Sequence, residues 1–153
     1  MDPQQRLILE TAWETLEDAG LPVTDLAGTA VGVFTGAYLL GHPQLLHAAG
    51  DQVRGHVLTG SQTSVISGRV SYALDFDGPS VTVDTACSSS LVAIHLAVQA
   101  LRAGDCDLAL AGGVSVLATP DIFLELAAQG TLAPDGRCKA FADAADGTGW
   151  SEG

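Results

Sequence analysis

The chain has 153 residues, of which 47% are hydrophobic and 16% are charged. This composition supplies enough apolar side chains for one core and excludes intrinsic disorder. Asp and Glu total 18 against 6 Lys and Arg, and the resulting formal net charge of −12 repels phosphate backbones and anionic lipids, which argues against nucleic-acid binding and electrostatic membrane attachment.

The N-terminal residues are predicted to form an amphipathic helix. Apolar side chains recur at three- and four-residue spacing over residues 3–19, Asp2 and Pro3 are a favourable N-cap and first-turn pair, and Gly20 ends the pattern. The segment lacks the charge order of a signal peptide, and no apolar run approaches the ~20 residues that span a bilayer. We therefore expect no membrane association.

Residues 31–74 are predicted to contain a strand and a helix with an irregular stretch between them. Residues 31–35 have the apolar character of a short buried strand, and residues 64–74 have helical spacing. Gly and Pro interrupt weak helical signals over residues 38–57, so we expect a mixture of loop and helix there.

The second half of the chain continues the alternation. Residues 80–84 are predicted to be a strand, and residues 91–101 a helix that is apolar on every side and therefore central and buried. Residues 108–117 are predicted to be a buried strand containing Gly112-Gly113, and residues 120–128 a short helix.

Alternation of strands and helices predicts a single α/β domain whose sheet is covered by helices on both faces. Residues 130–153 are rich in Gly, Asp and Ala, without periodicity. Because no regular element covers this end, we expect the chain to be a fragment of a larger protein.

Three widely spaced cysteines, Cys87, Cys106 and Cys138, form no Cys-x-x-Cys pair. Their odd number and spacing predict neither a disulfide framework nor a zinc site, and reduced thiols in the cytosol are the simplest interpretation. We therefore expect no bound metal, a cytoplasmic location, and one reactive thiol among the three reduced cysteines.

Cys87 lies where the predicted strand 80–84 passes into the helix 91–101. Free N–H groups and the positive end of the helix dipole meet at such a junction, so a thiolate there is stabilised and nucleophilic. The Cys87 N–H can also donate to an oxyanion. The alternative is a buried structural cysteine, as most free cysteines are. Ser88, Ser89 and Ser90 are expected to cap the helix rather than to act as nucleophiles.

Five motifs occur together and in order along the chain. They are Met1-Asp2-Pro3-Gln4-Gln5-Arg6-Leu7, Ser67-Gly68-Arg69-Val70-Ser71-Tyr72, Asp84-Thr85-Ala86-Cys87-Ser88-Ser89-Ser90, Asp107-Leu108-Ala109-Leu110-Ala111-Gly112-Gly113-Val114 and Ala133-Pro134-Asp135-Gly136-Arg137-Cys138-Lys139. With them the chain resembles the β-ketoacyl synthase (ketosynthase) domain of modular type I polyketide synthases. The resemblance implies the thiolase-like α/β fold, with α-β-α-β-α layers. It also implies that residues 1–153 are a partial N-terminal domain that lacks the first strand region and the C-terminal half.

The resemblance implies that Cys87 is the acyl-accepting nucleophile. In that family the cysteine takes an acyl chain from the phosphopantetheine arm of an acyl carrier protein. A malonyl-type extender then loses carbon dioxide, and its carbanion attacks the Cys-bound thioester. Family members with Gln in place of Cys only decarboxylate, so Cys87 favours the condensing type.

The same resemblance implies the surroundings of the domain. It binds no cofactor of its own, and its partners are the acyl carrier protein, the acyltransferase and the other modules of the synthase. The family is homodimeric, with the strand after the nucleophile helix among its subunit contacts.

The two downstream histidine motifs of the family, His-Gly-Thr-Gly-Thr and Gly-His, have no counterpart here. His95 follows Cys87 by eight residues, roughly 12 Å along a helix, which is too far for a catalytic pair, so we expect a core or interface histidine. His42, His47 and His56 are assigned no chemistry. We therefore expect the chain alone to be inactive in condensation.

Several other residues invite a role, and we expect most of them to be structural. Cys138 is expected to be structural and Cys106 buried, Asp84 to anchor the strand end through hydrogen bonds, and Gly112-Gly113 to permit close backbone approach.

Two motifs near the C-terminal end carry a weak functional signal. Gly147-Thr148-Gly149 lacks the Lys-Ser/Thr ending of a phosphate-binding loop. Arg137 and Lys139 form a basic pair that fits either contact with an acidic carrier protein or, the interpretation we favour, surface solubility.

Two alternative functions stay open from the sequence. The chain could be a non-catalytic structural or docking remnant of the same fold, or part of a fatty-acid-type β-ketoacyl synthase.

Overall fold

A parallel three-stranded sheet forms the centre of the described part of the chain. The computed structural model describes residues 1–39, 41–53 and 55–153, with the side chains of His47, Asp51 and Gln52 outside the description. The strands are β1 (Val31–Ala37), β2 (Ser80–Val83) and β3 (Leu108–Val114), in the order β2-β1-β3. The register pairs Gly36 of β1 with Val83 of β2 and with Gly113 of β3.

Helices supply the crossovers that parallel strands require. Helices α1 (Pro3–Asp18) and α2 (Val23–Leu26) precede β1, and α6 (Ser89–Ala103) connects β2 to β3. The elements between β1 and β2 are α3 (His42–Ala48), a 3₁₀ turn (Gly50–Val53), α4 (Val57–Ser61) and α5 (Val65–Leu74), and α7 (Asp121–Ala128) follows β3. The predicted mixture of loop and helix over residues 38–57 is confirmed where it is described; the side chain of His47 lies outside the described residues.

Helices α1 and α5 cover one face of the sheet. Leu16 of α1 and Val70 of α5 are at most 1% exposed and pack with Val31 and Val33 of β1. Helix α1 begins at Pro3 as predicted, because the Asp2 carboxylate accepts a hydrogen bond from the Gln4 N–H at 2.9 Å.

Helix α6 covers the opposite face. Ala93, Ala97 and Ala100 form its buried stripe and pack with Phe34 of β1 and with Cys106. Successive β1 side chains point to opposite faces, so Val33 and Phe34 belong to different cores. The predictions of helices on both faces and of a buried Cys106 are confirmed.

The expectation that the α6 helix is buried on every side was wrong. Only its alanine stripe meets the sheet, because a helix presents one face to one layer. The opposite side is exposed, with Leu91 at 69% and Ile94 at 47%. His95 is exposed as well, which excludes the core alternative for this histidine and leaves the interface alternative as a prediction.

The structure also corrects the expectation that no apolar run of the sequence is long enough to span a bilayer. The 18 residues Ala86–Ala103 have a mean hydropathy of 1.2 and are, by length and composition, long and apolar enough to cross a membrane. The helical part of this run, α6, lies against the sheet through its alanine stripe. The run therefore has the position of a helix in a layered α/β fold, and its hydropathy is weak evidence for a span.

The strand β3 is shorter and less buried than predicted. It ends at Val114 instead of residue 117, and Ala111 and Gly113 are exposed because β3 lies at an edge of the sheet. The backbone then turns to a new partner: the Ser115 N–H donates to the Gly153 carbonyl at 2.5 Å, and the Gly153 N–H donates back at 3.0 Å. Residues 150–153 are thereby held beside the carboxyl end of the sheet.

Candidate active site

The turn between β2 and α6 carries Cys87. The backbone reverses at Ala86, which has a φ of +55°. The Ser89 hydroxyl spans this reversal, accepting a hydrogen bond from the Thr85 N–H at 2.8 Å and donating to the Ala86 carbonyl at 2.6 Å. The Asp84 carboxylate accepts from the Ala86 N–H at 3.1 Å, so its predicted anchoring role is confirmed.

Ser88 and Ser89 do not cap the helix in the expected way. Neither hydroxyl accepts a hydrogen bond from an N–H of α6 within the described chain. Instead, Ser88 donates to the Thr85 carbonyl at 2.8 Å, and Ser89 bonds the turn as described above. The serines therefore fasten the turn. The Ser89 N–H also donates to the Ala86 carbonyl at 3.0 Å, and among the described residues the N–H groups of Ser90 and Leu91 have no acceptor.

Cys87 is exposed at this turn, which rules out a buried core position for it. Among the described residues its backbone N–H has no hydrogen-bond acceptor, as an oxyanion donor requires before substrate binds. The thiol and this N–H thus lie on one exposed turn at the N-terminus of α6.

Cys87 opens onto a cavity of about 800 Å³. Its walls come from four places: the end of β1, the β2–α6 turn, the end of β3 and residues 150–153, with one side chain from α7. The lining residues are Gly36, Ala37, Tyr38, Asp84, Ala86, Cys87, Ser89, Ser90, Gly113, Val114, Ser115, Ile122, Trp150, Ser151, Glu152 and Gly153. The space beside the thiol is large enough for a small organic ligand and has apolar surface on several sides.

The structure brings some of the candidate residues together and separates others. Asp84 and Gly113 line the cavity with Cys87, whereas none of the histidines described in full does. The expectation that His95 forms no catalytic pair with Cys87 agrees with its exposed position on α6.

The sequence reasoning missed the walls contributed by Tyr38, Ile122 and Trp150. Carboxyl ends of parallel strands converge at one edge of a sheet, and ligands bind in the crevice outside them. Residues that follow β1 and β3 therefore had to lie near Cys87, which follows β2, and this was the signal available for Tyr38. No comparable signal existed for Trp150, which is placed by the pairing of Gly153 with Ser115.

Glycine allows α6 to approach the sheet closely at the cavity. A Cβ atom on Gly36 would lie 2.7 Å from the Ser90 nitrogen, and one on Gly113 would lie 3.1 Å from the Ser90 Cβ. A Cβ on Gly112 would meet nothing within 4 Å. Close approach is thus confirmed for Gly113, whereas Gly112 makes none within the described chain.

Cys138 has a polar environment that its sequence did not reveal. Its sulfur accepts a hydrogen bond from the Gly149 N–H at 3.1 Å and lies 3.4 Å from the Thr148 hydroxyl. Hydrogen bonding to Thr148 and to the Gly149 backbone lowers the pKa of the Cys138 thiol below its usual value of 9.0. Because these contacts hold two chain segments together, they fit the predicted structural role.

The basic pair near Cys138 is partly neutralised. The Lys139 ammonium lies 3.0 Å from the Asp135 carboxylate and 2.7 Å from that of Asp146, and both contacts raise the pKa of Lys139. Arg137 is exposed. Lys139 is thus paired within the chain, and surface solubility of the Arg137 and Lys139 pair stays a prediction.

Comparisons with known proteins match the whole chain to one protein family. Residues 1–153 match the family described as "Beta-ketoacyl synthase, N-terminal domain". The chain is 62% identical to the spectinabilin polyketide synthase system protein NorC of Streptomyces orinoci. It is 60% identical to the mycoketide-CoA synthase of Mycobacterium tuberculosis. These matches cover 100% of the chain but only 7% and 4% of the two relatives.

Solved structures give the same result for the fold. The oxazolomycin ketosynthase domain OzmH KS7 of Streptomyces albus matches with a TM-score of 0.85 and 44% identity over 99% of this chain and 27% of that chain. The ketosynthase from module 6 of the bacillaene synthase of Bacillus subtilis matches with a TM-score of 0.84 and 38% identity over 96% of this chain and 24% of that chain. The predicted thiolase-like α/β fold is confirmed, and the chain spans about a quarter of each ketosynthase.

Proposed function

Since the chain belongs to the β-ketoacyl synthase family as its N-terminal domain, we propose that it carries the acyl-accepting half of a polyketide synthase ketosynthase, with Cys87 as the nucleophile. The observation that carries the proposal is the position of Cys87: exposed, on a fastened turn at the N-terminus of α6, and open to the cavity.

The proposed step is a thioester exchange. The Cys87 sulfur attacks the carbonyl carbon of an acyl group held as a thioester on the phosphopantetheine arm of an acyl carrier protein. The carbonyl oxygen gains negative charge, toward which the Cys87 N–H is available to donate. As the oxyanion collapses, the bond to the pantetheine sulfur breaks and that thiol leaves with the proton that Cys87 lost. The acyl group ends as a thioester on Cys87.

The local structure supports this step in two ways. Hydrogen bonds of the Ser89 hydroxyl and the Asp84 carboxylate fasten the turn that carries the thiol, so the Cys87 sulfur meets its substrate from a fixed position. The cavity gives the acyl chain apolar surface at Val114, Ile122 and Trp150 within the same crevice. Both features act on the attacking group and its substrate, so they belong to the first half-reaction.

The second half-reaction belongs to the full ketosynthase domain. There, a malonyl-type extender on a carrier protein loses carbon dioxide, and the carbanion attacks the Cys87 thioester to form a new carbon–carbon bond. We assign this step to the complete domain because the two histidine motifs of the family have no counterpart in residues 1–153.

The proposal includes the partners and setting of the domain. The acyl carrier protein, the acyltransferase and the other modules of the same synthase are the proposed partners, and the domain is proposed to work as a cytoplasmic homodimer. It needs no cofactor of its own, because the pantetheine arm arrives on the carrier protein. The curated relatives described above are polyketide synthases, which favours this pathway over fatty-acid synthesis.

The experiment is acyl transfer to the 153-residue chain. An acyl carrier protein charged with a short acyl group is mixed with the chain, and intact mass is followed with time. We expect the chain to gain the mass of one acyl group and the carrier to lose it, and we expect Cys87→Ala to abolish the transfer. A chain that gains no acyl group while folded, or Cys87→Ala that gains it equally fast, contradicts the proposal and favours a non-catalytic remnant.

A further inference from the structure

Gln4 and Gln5 are consecutive buried glutamines in the first turn of α1, and the proposed chemistry uses neither. Their exposed fractions are 1% and 0%. Burial of an amide is unfavourable unless its donors and acceptor find partners. The partners of these two side chains therefore identify what each glutamine holds in place.

The Gln4 side chain bridges two segments that are far apart in sequence. Its Nε2 donates to the Tyr38 carbonyl at 3.1 Å, and its Oε1 accepts from the Val116 N–H at 3.3 Å. Tyr38 directly follows β1, and Val116 lies two residues beyond the end of β3. One amide group thus ties together the chain segments that leave two neighbouring strands at the carboxyl edge of the sheet.

Both segments form walls of the cavity beside Cys87. The segment after β1 contributes Tyr38, and the segment after β3 contributes Ser115, which directly precedes Val116. A change in the distance between these two wall segments therefore changes the width of the cavity.

The bridge requires glutamine and no other standard side chain of similar size. One terminal group must donate to a backbone carbonyl and accept from a backbone N–H at the same time. Glutamate has the length but cannot donate when ionised, and its charge would lie close to the Asp2 carboxylate, which is 3.5 Å from Gln4 Nε2. Methionine fills the volume but makes neither bond.

We propose that Gln4 is a positioning residue for acyl transfer, which sets the width of the substrate cavity by tying the segment after β1 to the segment after β3. This inference rests on the proposed function for its consequence, the binding of the acyl substrate. The hydrogen-bonded bridge itself is independent of that function, so the two can be tested separately.

Gln5 provides a matched control one residue away. It is equally buried, but its Nε2 donates to the Thr59 carbonyl at 3.1 Å and its Oε1 accepts from the Arg69 Nε at 2.9 Å. Thr59 and Arg69 belong to α4 and α5, and neither lines the cavity. Loss of the Gln5 bonds therefore costs stability without touching the cavity walls.

The experiment compares the full 153-residue chain with Gln4→Met and Gln5→Met below their unfolding temperatures. Hydrogen exchange is measured on peptides covering residues 36–39 and 113–117, and on peptides covering 57–69. In the same samples, the rate of Cys87 acylation is measured against the concentration of an acyl N-acetylcysteamine thioester, and the rate of Cys87 alkylation by iodoacetamide reports the thiol alone.

For Gln4→Met we expect faster exchange in residues 36–39 and 113–117 and a half-saturating thioester concentration raised about tenfold, with alkylation changed less than about twofold. For Gln5→Met we expect faster exchange in residues 57–69 and an unchanged half-saturating concentration. Gln4→Glu keeps an acceptor for the Val116 N–H but has no donor for the Tyr38 carbonyl. We therefore expect slower hydrogen exchange at Val116 than in Gln4→Met, with the segment at Tyr38 exchanging as fast as in Gln4→Met.

Three results would overturn the inference or its premise. Unchanged exchange in the two segments of Gln4→Met contradicts the bridge. Faster exchange with an unchanged half-saturating concentration, or equal shifts in both variants, reduces Gln4 to a structural residue. A wild-type chain that accepts no acyl group contradicts the proposed function and with it the positioning role, while the exchange data still decide whether the bridge exists.

Discussion

Ala86 has a backbone conformation that alanine rarely adopts, and its position beside Cys87 gives that conformation a purpose. A left-handed φ costs a non-glycine residue roughly 1–2 kcal/mol. Ser89 and Asp84 offset this cost through hydrogen bonds to the backbone of Thr85 and Ala86. The sharp reversal turns Cys87 out of the strand direction and toward the cavity, as a nucleophile requires.

Cys138 allows a prediction about pH at the level of one side chain. Its thiol pKa lies below the usual 9.0 because of hydrogen bonds from Thr148 and from the Gly149 backbone. Folding therefore favours the Cys138 thiolate relative to the unfolded chain, so this stabilisation is present above the pKa of the unfolded thiol and is lost as pH falls through the folded pKa. We expect the alkylation rate of folded Cys138 to reach half its maximum at a lower pH than in the unfolded chain.

The variant Thr148→Val should move this midpoint upward, because it removes the hydroxyl donor and leaves the Gly149 N–H. The control is Thr15→Val, whose hydroxyl donates to the Thr11 carbonyl within α1. Iodoacetamide labelling followed by peptide mass measures the midpoint for each variant. A Thr148→Val midpoint equal to that of the wild type would contradict the assignment.

The contact between α6 and β1 sets the position of the Cys87 turn at the level of elements. The N-terminus of α6 lies directly on Gly36, with no space for a methyl group between them. Ser89 is the first residue of α6, and its hydroxyl is hydrogen-bonded to the turn that carries Cys87. Any movement of this helix end therefore moves Cys87 as well.

The variant Gly36→Ala tests this contact. The added Cβ would lie 2.7 Å from the Ser90 nitrogen, so the strand or the helix end must move. Overpacking of this kind destabilises a protein by about 1–3 kcal/mol. We expect a loss of that size in urea unfolding, together with slower acylation of Cys87 in the folded fraction.

The matched control is Gly112→Ala on the neighbouring strand, where an added Cβ meets nothing within 4 Å. Its unfolding free energy should stay within about 0.5 kcal/mol of the wild type. Equal losses in the two variants would show that the effect belongs to glycine in a strand and has no connection with the approach of α6.

Helices α1 and α6 show how far the sequence determines the elements. For α1, the apolar spacing and the Asp2-Pro3 start predicted its limits and the burial of Ala12 and Leu16. Trp13 shares that spacing but is 45% exposed, so the spacing predicted the buried face only in part. For α6 the limits were predictable but the buried face was not. Every face is apolar, and the choice of the alanine stripe depends on which side chains are small enough to approach the sheet.

The candidate site divides in the same way. The position of Cys87 follows from the order strand, small residues, helix, and the sequence could supply it. The cavity could not be predicted, because its walls come from residues separated by more than a hundred positions, such as Tyr38 and Trp150. Nor could the bridge formed by Gln4, since a buried glutamine in an amphipathic helix looks like any polar residue until its partners are placed.

At the scale of the whole molecule, the proposed function assigns to this chain one half-reaction of a two-step enzyme. It spans 27% of the oxazolomycin ketosynthase domain. Its α6 helix exposes an apolar stripe formed by Leu91, Ile94, Val98 and Leu101. The stripe lies on the side of α6 opposite the alanines that pack on the sheet.

This division predicts what the isolated chain does in a complete assay. Supplied with an acyl carrier protein and a malonyl carrier protein, the 153-residue chain should become acylated and form no β-ketoacyl product, because the proposal assigns the second step to the complete domain. Product analysis by mass spectrometry after base hydrolysis measures this. Sustained β-ketoacyl formation by the chain alone would contradict the assignment of the second step to the complete domain.

The most direct test of the central claim uses the three cysteines of one molecule as mutual controls. The folded chain is treated with an acyl-loaded carrier protein, digested, and mapped by peptide mass. We predict the acyl group on the peptide that contains Cys87, with the peptides of Cys106 and Cys138 unmodified, and loss of this selectivity when the chain is unfolded in urea. Acylation spread over all three peptides in the folded chain, or found on Cys138 alone, would contradict the claim that Cys87 is the acyl-accepting nucleophile.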